Sequence, residues 1–180
     1  DFAFNPRPLL PKTYLTIAPD LRSQIGGPDG FYFGNLRLAF NAETLFARNI
    51  SFTNKFSAGI YDTFDGLKLA SDSILPHVRT DNVLYLKESR KFSIERSQFN
   101  FFYHVKPQVF AKLSFGYLEE MFGGLGGEIL FRSFEHNYGV GAEIWRVKQR
   151  DYNQRFGFQK YQTTTGFINF YYEEPRSNIL

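Results

Sequence analysis

The chain has 180 residues, long enough for one domain with a sizeable core. Its 21 basic and 18 acidic residues are mixed along the chain for a formal charge of +3, with no Lys/Arg block of the kind that tracks nucleic acid. No cysteine is present, which excludes disulfides, thiol nucleophiles and thiolate metal sites.

The apolar residues are of an unusual kind: 22 Phe and 11 Tyr stand against one Trp and one Met. Aromatic side chains suit pleated surfaces, so the bias is toward strands. No apolar run approaches the ~20 residues of a membrane helix. The mean hydropathy of −0.33 describes a polar chain, but strands that are apolar on one side only average out to that value. The chain opens at Asp1 without Met and without a charged-then-apolar leader, as a processed product or a fragment of a longer protein would.

In chain order, the cluster Gly26-Gly27-Pro28-Asp29-Gly30 breaks any regular element. From Tyr32 to Ala42, Tyr32, Leu36, Leu38 and Phe40 fall on one side and Asn35, Arg37, Ala39 and Asn41 on the other. From Ile50 to Ile60, Ile50, Phe52, Phe56, Ala58 and Ile60 oppose Ser51, Thr53, Lys55, Ser57 and Gly59. Such alternation predicts two-faced strands, because successive side chains of a strand point to opposite faces. A long connection, about 63–82, follows. From Glu95 to Val105, Phe99, Phe101, Tyr103 and Val105 oppose Arg96, Gln98, Asn100 and His104; Lys106-Pro107 then turns the chain. From Gln108 to Tyr117, Val109, Ala111, Leu113, Phe115 and Tyr117 oppose Gln108, Lys112, Ser114 and Gly116. Leu118 to Phe122 is the only stretch expected to turn helically. Glu135, His136 and Asn137 make another turn, after which Val140, Ala142 and Ile144 oppose Gly141 and Glu143. Residues 160–172 are β-prone with ambiguous faces. The expectation is an all-β fold, an antiparallel meander of eight or nine strands with no helix of useful length.

Alternation alone does not say which side faces inward. A β-sandwich or lipocalin-like barrel turns its apolar side in; an outer-membrane barrel turns it out. The polar sides here carry small residues and charges of both signs, as a wet lumen would, and the apolar sides end in Tyr and Phe near the turns, as interfacial girdles do. Both features tilt the reading toward part of a transmembrane outer-membrane β-barrel.

Enzymatic and metal readings find little support. Gly123-Gly124-Leu125-Gly126-Gly127 lacks the Gly-Lys-Ser/Thr ending of a phosphate loop, and glycines also permit tight turns and sharply curved strands. Glu119-Glu120 with Glu128 would be carboxylates for glycoside hydrolysis, which needs two of them across a cleft; neighbours in a strand point apart. His77, His104 and His136 have none of the short spacings of metal sites. No catalytic residue, cofactor or metal is expected.

Several runs resemble one family. They are Gln24-Ile25-Gly26-Gly27-Pro28-Asp29-Gly30-Phe31-Tyr32; Leu75-Pro76-His77-Val78-Arg79-Thr80-Asp81; the long run from Gly116-Tyr117-Leu118-Glu119-Glu120-Met121-Phe122 through the glycines to Glu128-Ile129-Leu130-Phe131-Arg132; Val147-Lys148-Gln149-Arg150-Asp151-Tyr152; and Arg155-Phe156-Gly157-Phe158. In this order, from about Pro11 to Tyr172, the chain resembles the YjbH/GfcD family of outer-membrane exopolysaccharide and capsule biosynthesis proteins. The resemblance implies a large barrel, often a lipoprotein, several times longer than this chain. Residues 1–180 would then be a single segment of a larger barrel in the bacterial outer membrane. Its partners would be outer-membrane lipid, other segments of the same barrel, polysaccharide and periplasmic capsule-export proteins, with no nucleic acid. On this reading Arg37, Lys55, Arg96, Lys112, Glu128, Arg132 and Glu143 are the lumen-facing polysaccharide contacts, joined by Tyr14, Phe102 and Phe110. The competing expectation for the charges is a network that fills and stiffens the lumen, since buried charges are normally paired. A second functional reading is a structural or adhesive surface barrel that binds an external partner through the connection at about 63–82.

Overall fold

The computed structural model describes residues 9–68 and 81–173. They form one eight-stranded antiparallel sheet in which each strand pairs with the next in sequence: β1 (Lys12–Ile25), β2 (Tyr32–Ala47), β3 (Ile50–Asp62), β4 (Phe92–Lys106), β5 (Val109–Tyr117), β6 (Phe122–Arg132), β7 (Tyr138–Arg150) and β8 (Phe158–Tyr172). Among the described residues the sheet is open, with β1 paired only to β2 and β8 only to β7.

The pairing register joins the separate alternations into two continuous faces. Arg37 lies opposite Asp20 and Gly59, Lys55 opposite Asn41 and Arg96, and Lys112 opposite Phe102 and Glu128. Glu128 in turn faces Glu143, which faces Phe167. Directly opposed residues share a face, so the polar sides of all eight strands make one surface. The other surface carries Leu15, Leu38, Phe56, Phe99, Leu113, Ile129, Ile144 and Ile168.

Burial runs opposite to that of a water-soluble sheet. On the apolar surface Leu15 is 65% exposed, Ile144 62% and Ile168 84%. On the polar surface Asn35, Arg37, Ser51, Ser57, Asn100 and Ser114 are buried. A sandwich-like arrangement with its apolar side packed inward is therefore not what the described residues adopt.

Two features of the connections depart from the sequence-based expectations. Leu118 to Met121 is no helical turn but the tight link from β5 to β6, where the N–H groups of Leu118 and Glu119 both donate to the Phe122 carbonyl. Glu119 and Glu120 accordingly sit in that link and not in a strand. The long connection holds a 3-10 turn (Phe64–Gly66) and a helix, α1 (Asn82–Glu88). Phe64, Leu67 and Leu86 make a small buried cluster with Val83 and with Phe33, which projects from the polar side of β2. The helix is too short for its period to show in sequence; tertiary packing holds such segments, since isolated short helices are marginal. Residues 69–80, which include His77 and most of the Leu75–Asp81 run, lie outside the described residues. The described ends of this connection pack against the polar face, while the middle of the stretch expected to bind an external partner lies outside the described residues.

Candidate functional site: the polar face

Three polar clusters occupy the polar face. The first centres on Glu95. Parity would put Glu95 with Phe99 on the apolar side, but a β-bulge in β4, where Lys55 pairs with Arg96 and Phe56 with Ile94, turns it to the polar face. There it binds the Arg37 guanidinium (2.8 Å), the Lys55 ammonium (2.7 Å) and the Ser57 hydroxyl. Arg37 also pairs with Asp20. Two cations and two carboxylates thus neutralise one another where Arg37 and Glu95 have little access to solvent. Beside them Arg96 donates from Nε to the Leu118 carbonyl (3.0 Å), and Arg22 of β1 pairs with Glu120 in the link after β5. The cavity between these groups measures about 540 Å³ and is lined in part by Tyr14, Glu43, Lys55, Glu95, Arg96 and Glu120.

A polar ladder leads from it to the second cluster. Asn100 donates to Ser51 (3.3 Å), and Ser114 donates to Asn100 (2.8 Å). The second cluster holds Lys112, Glu128 and Glu143. Lys112 Nζ pairs with Glu128 Oε1 at 2.8 Å. Glu143 accepts from the Trp145 indole N–H (2.7 Å) and from the Asn169 amide (3.1 Å), so both of its oxygens are engaged. Arg132 lies apart at the rim, largely exposed and paired with Glu173.

The third cluster caps the end where the longer connections meet. The buried Arg150 guanidinium donates to the carbonyls of Glu119 (2.7 Å), Gln154 (2.9 Å) and Arg155 (3.2 Å), and it lies 4.4 Å from the centre of the Tyr117 ring. From α1, the Tyr85 hydroxyl donates to the Arg150 carbonyl (2.6 Å), and its ring meets Tyr152 edge-on at 5.1 Å. Burial pushes the Tyr85 phenol up to about 12. Tyr152, which donates to Asp81 (3.1 Å), is raised by burial and then by that bond.

Among the described residues no group of three or more His, Cys, Asp or Glu side chains is placed to hold a metal ion. His104 stacks on Phe110 (5.0 Å) on the polar face, and His136 lies in the link from β6 to β7.

Over residues 7–180 the chain matches the family model described as "Exopolysaccharide biosynthesis protein YbjH". The chain belongs to this family. It is also 32% identical over 162 residues to the Escherichia coli (strain K12) protein named "Uncharacterized lipoprotein YjbH", an alignment covering 87% of this chain and 23% of that relative. The chain therefore spans less than a quarter of the length of the curated relative it matches. No solved structure matches it.

Three of the runs that carry the YjbH-family resemblance meet in space. Gly116–Arg132, Val147–Tyr152 and Arg155–Phe158 are far apart in part in the sequence, yet Arg150 bonds the first at Glu119 and the last at Arg155. In this chain these three runs thus form a corner built around one buried guanidinium. All seven charged residues singled out from the sequence lie on the polar face, but in different settings. Arg37 and Lys55 share Glu95, Lys112 with Glu128 and Glu143 form the second cluster, Arg96 lines the cavity, and Arg132 stands at the rim. Sequence reasoning missed Glu95, Trp145, Arg150 and Asn169. Trp145 had a signal: it is two residues beyond Glu143 on the polar side of a strand whose pattern was followed only to Ile144.

Proposed function

We propose that this chain is an arc of an outer-membrane β-barrel that assists biosynthesis or export of an exopolysaccharide or capsule, without itself catalysing a reaction. The observation that carries the reading is the inverted sheet, with large apolar side chains exposed on one face and charges buried on the other. Lipid acyl chains suit the first face and a polar lumen the second. Strand length agrees: β2 has 16 residues and β4 has 15, beyond the ~9–11 that a tilted membrane strand requires.

The connections also agree. At one end they are short, as at Arg48-Asn49 and Pro107-Gln108; at the other lies the long β3–β4 connection. In outer-membrane barrels short turns face the periplasm and longer loops the exterior. Further strands of the full-length protein would complete the wall beyond β1 and β8. The polar-face charges would contact the polysaccharide, and periplasmic capsule-export proteins would meet the short-turn end. The lipoprotein name of the Escherichia coli relative is consistent with membrane attachment. The test is a deletion strain of the full-length protein, assayed for surface polysaccharide. Loss or shortening of that polymer is expected; an unchanged amount and chain length would remove the reading.

A further inference from the structure

The geometry points to a saccharide-stacking platform at Trp145, a subsite for an uncharged pyranose unit on the polar face; the inference rests on the polysaccharide reading above and gives it a place. Trp145 is the only tryptophan of the chain and lies opposite Gly126 in the register. Its indole lies against that glycine: a Cβ built on Gly126 would stand 2.1 Å from the six-membered ring. The glycine therefore lets the ring lie down on the sheet instead of standing upright, and Trp145 is half-buried. Beside it, Ser114 opposite Gly126 is small and buried, keeping the floor low. The negative π face of an indole attracts the polarised C–H bonds that line one side of a pyranose ring, while its apolar area is large and rigid.

The polar groups around the indole complete such a site. One register row runs across five strands: Phe102, Lys112, Glu128, Glu143 and Phe167. Aromatic rings stand at both ends, with Phe102 46% and Phe167 56% exposed. In the middle, Glu128 and Glu143 directly oppose each other, an arrangement that is unfavourable for like charges. Each is held by its own partner, Glu128 by Lys112 and Glu143 by Trp145 and Asn169. Lys112 Nζ lies over the indole, 5.9 Å from its centre. Carboxylates with spare lone pairs and an amide beside a flat apolar ring, with an ammonium over it, match the hydroxyls and C–H face of a sugar. One lysine against two glutamates leaves a net negative charge, so the subsite favours a neutral sugar over a uronic acid.

The experiment uses the purified full-length protein in detergent micelles. Isothermal titration would measure binding of cellohexaose and maltohexaose as neutral probes and of hexagalacturonate as the acidic one. At least one neutral hexamer should bind. Trp145→Ala and Gly126→Ala should each weaken it tenfold or more, Gly126→Ala by displacing the indole, while Trp145→Phe retains part of the affinity. Hexagalacturonate should bind at least tenfold more weakly than the neutral probe. Folding is followed by heat-dependent gel migration; if Trp145→Ala loses its folded band, Trp145→Leu replaces it, filling volume without an aromatic face. Wild-type protein that binds neither neutral hexamer, substitutions that leave affinity unchanged, or tighter binding of hexagalacturonate overturn the platform. The deletion strain separates the two ideas. If surface polysaccharide is lost there while Trp145→Leu binds as wild type, only the platform falls. If polysaccharide is unchanged while binding depends on Trp145, only the export reading falls.

Discussion

The two faces of the sheet are drawn from the same eight strands, yet they follow opposite rules. One collects aromatic and branched side chains and leaves many of them exposed; the other collects charges and amides, several of them buried. In a water-soluble domain a continuous exposed apolar surface of this extent marks a missing partner. On the barrel reading proposed above, the two faces answer to different solvents. On that reading the apolar side would need only lipid, which asks for no particular partner, whereas each buried group on the polar side needs a specific one.

Three substitutions would break or sharpen that contrast. The largest effect is expected at Arg37→Ala, which leaves Asp20 and Glu95 side by side without their shared cation. Removing one partner of a buried ion pair costs about 3–5 kcal/mol, and denaturant unfolding of the full-length protein in vesicles should show a loss of that order. A loss under 1 kcal/mol would mean that water reaches this network freely.

Next comes Leu113→Arg on the apolar face, where the side chain is 45% exposed. A cation facing lipid near the midplane costs about 2–4 kcal/mol. Unaltered stability in bilayers would show that this side faces water and the two faces have been assigned the wrong way round.

The smallest effect is expected at Tyr85→Phe, which deprives the Arg150 carbonyl of its donor and should cost about 1 kcal/mol. It also carries a pH signature. Burial raises the Tyr85 phenol from the ordinary 10 to about 12, so its stabilisation is complete below pH 10 and is lost as the pH climbs through about 12. Phenolate absorbance should therefore show one late-titrating tyrosine in the wild type that the variant lacks; identical titrations would place Tyr85 in contact with water.

Much of the sheet was legible because alternation is a local property. Residues such as Phe52 to Ala58, or Val109 to Tyr117, declare their faces without knowledge of their neighbours, and the register then aligns them. What was illegible depended on non-local packing. Glu95 changes face because an extra residue bulges β4 against β3, and nothing in its own neighbourhood announces that. Helix α1 is seven residues long, shorter than the span needed to display a helical period. The faces of β8 are mixed even in the structure, with Phe167 and Tyr171 on the polar side and Gln162 and Thr164 on the other. Of the candidate site, the seven charged residues singled out from the sequence could be placed on the polar face from their strands, whereas Glu95 and Arg150 could not. That the Trp145 indole lies on Gly126 could not be read without knowing that the two residues stand opposite each other.

The ion pair between Arg22 and Glu120 has a geometric consequence. Arg22 belongs to the first strand, whereas Glu120 follows the fifth. Laid flat, those strands would stand about 19 Å apart, four spacings of about 4.8 Å. Side chains in contact across that interval act as a chord drawn across an arch, and a chord of given length sets the radius. The arc thus carries its curvature within itself, and a wall completed by other strands would inherit its bend at this point from one arginine and one glutamate.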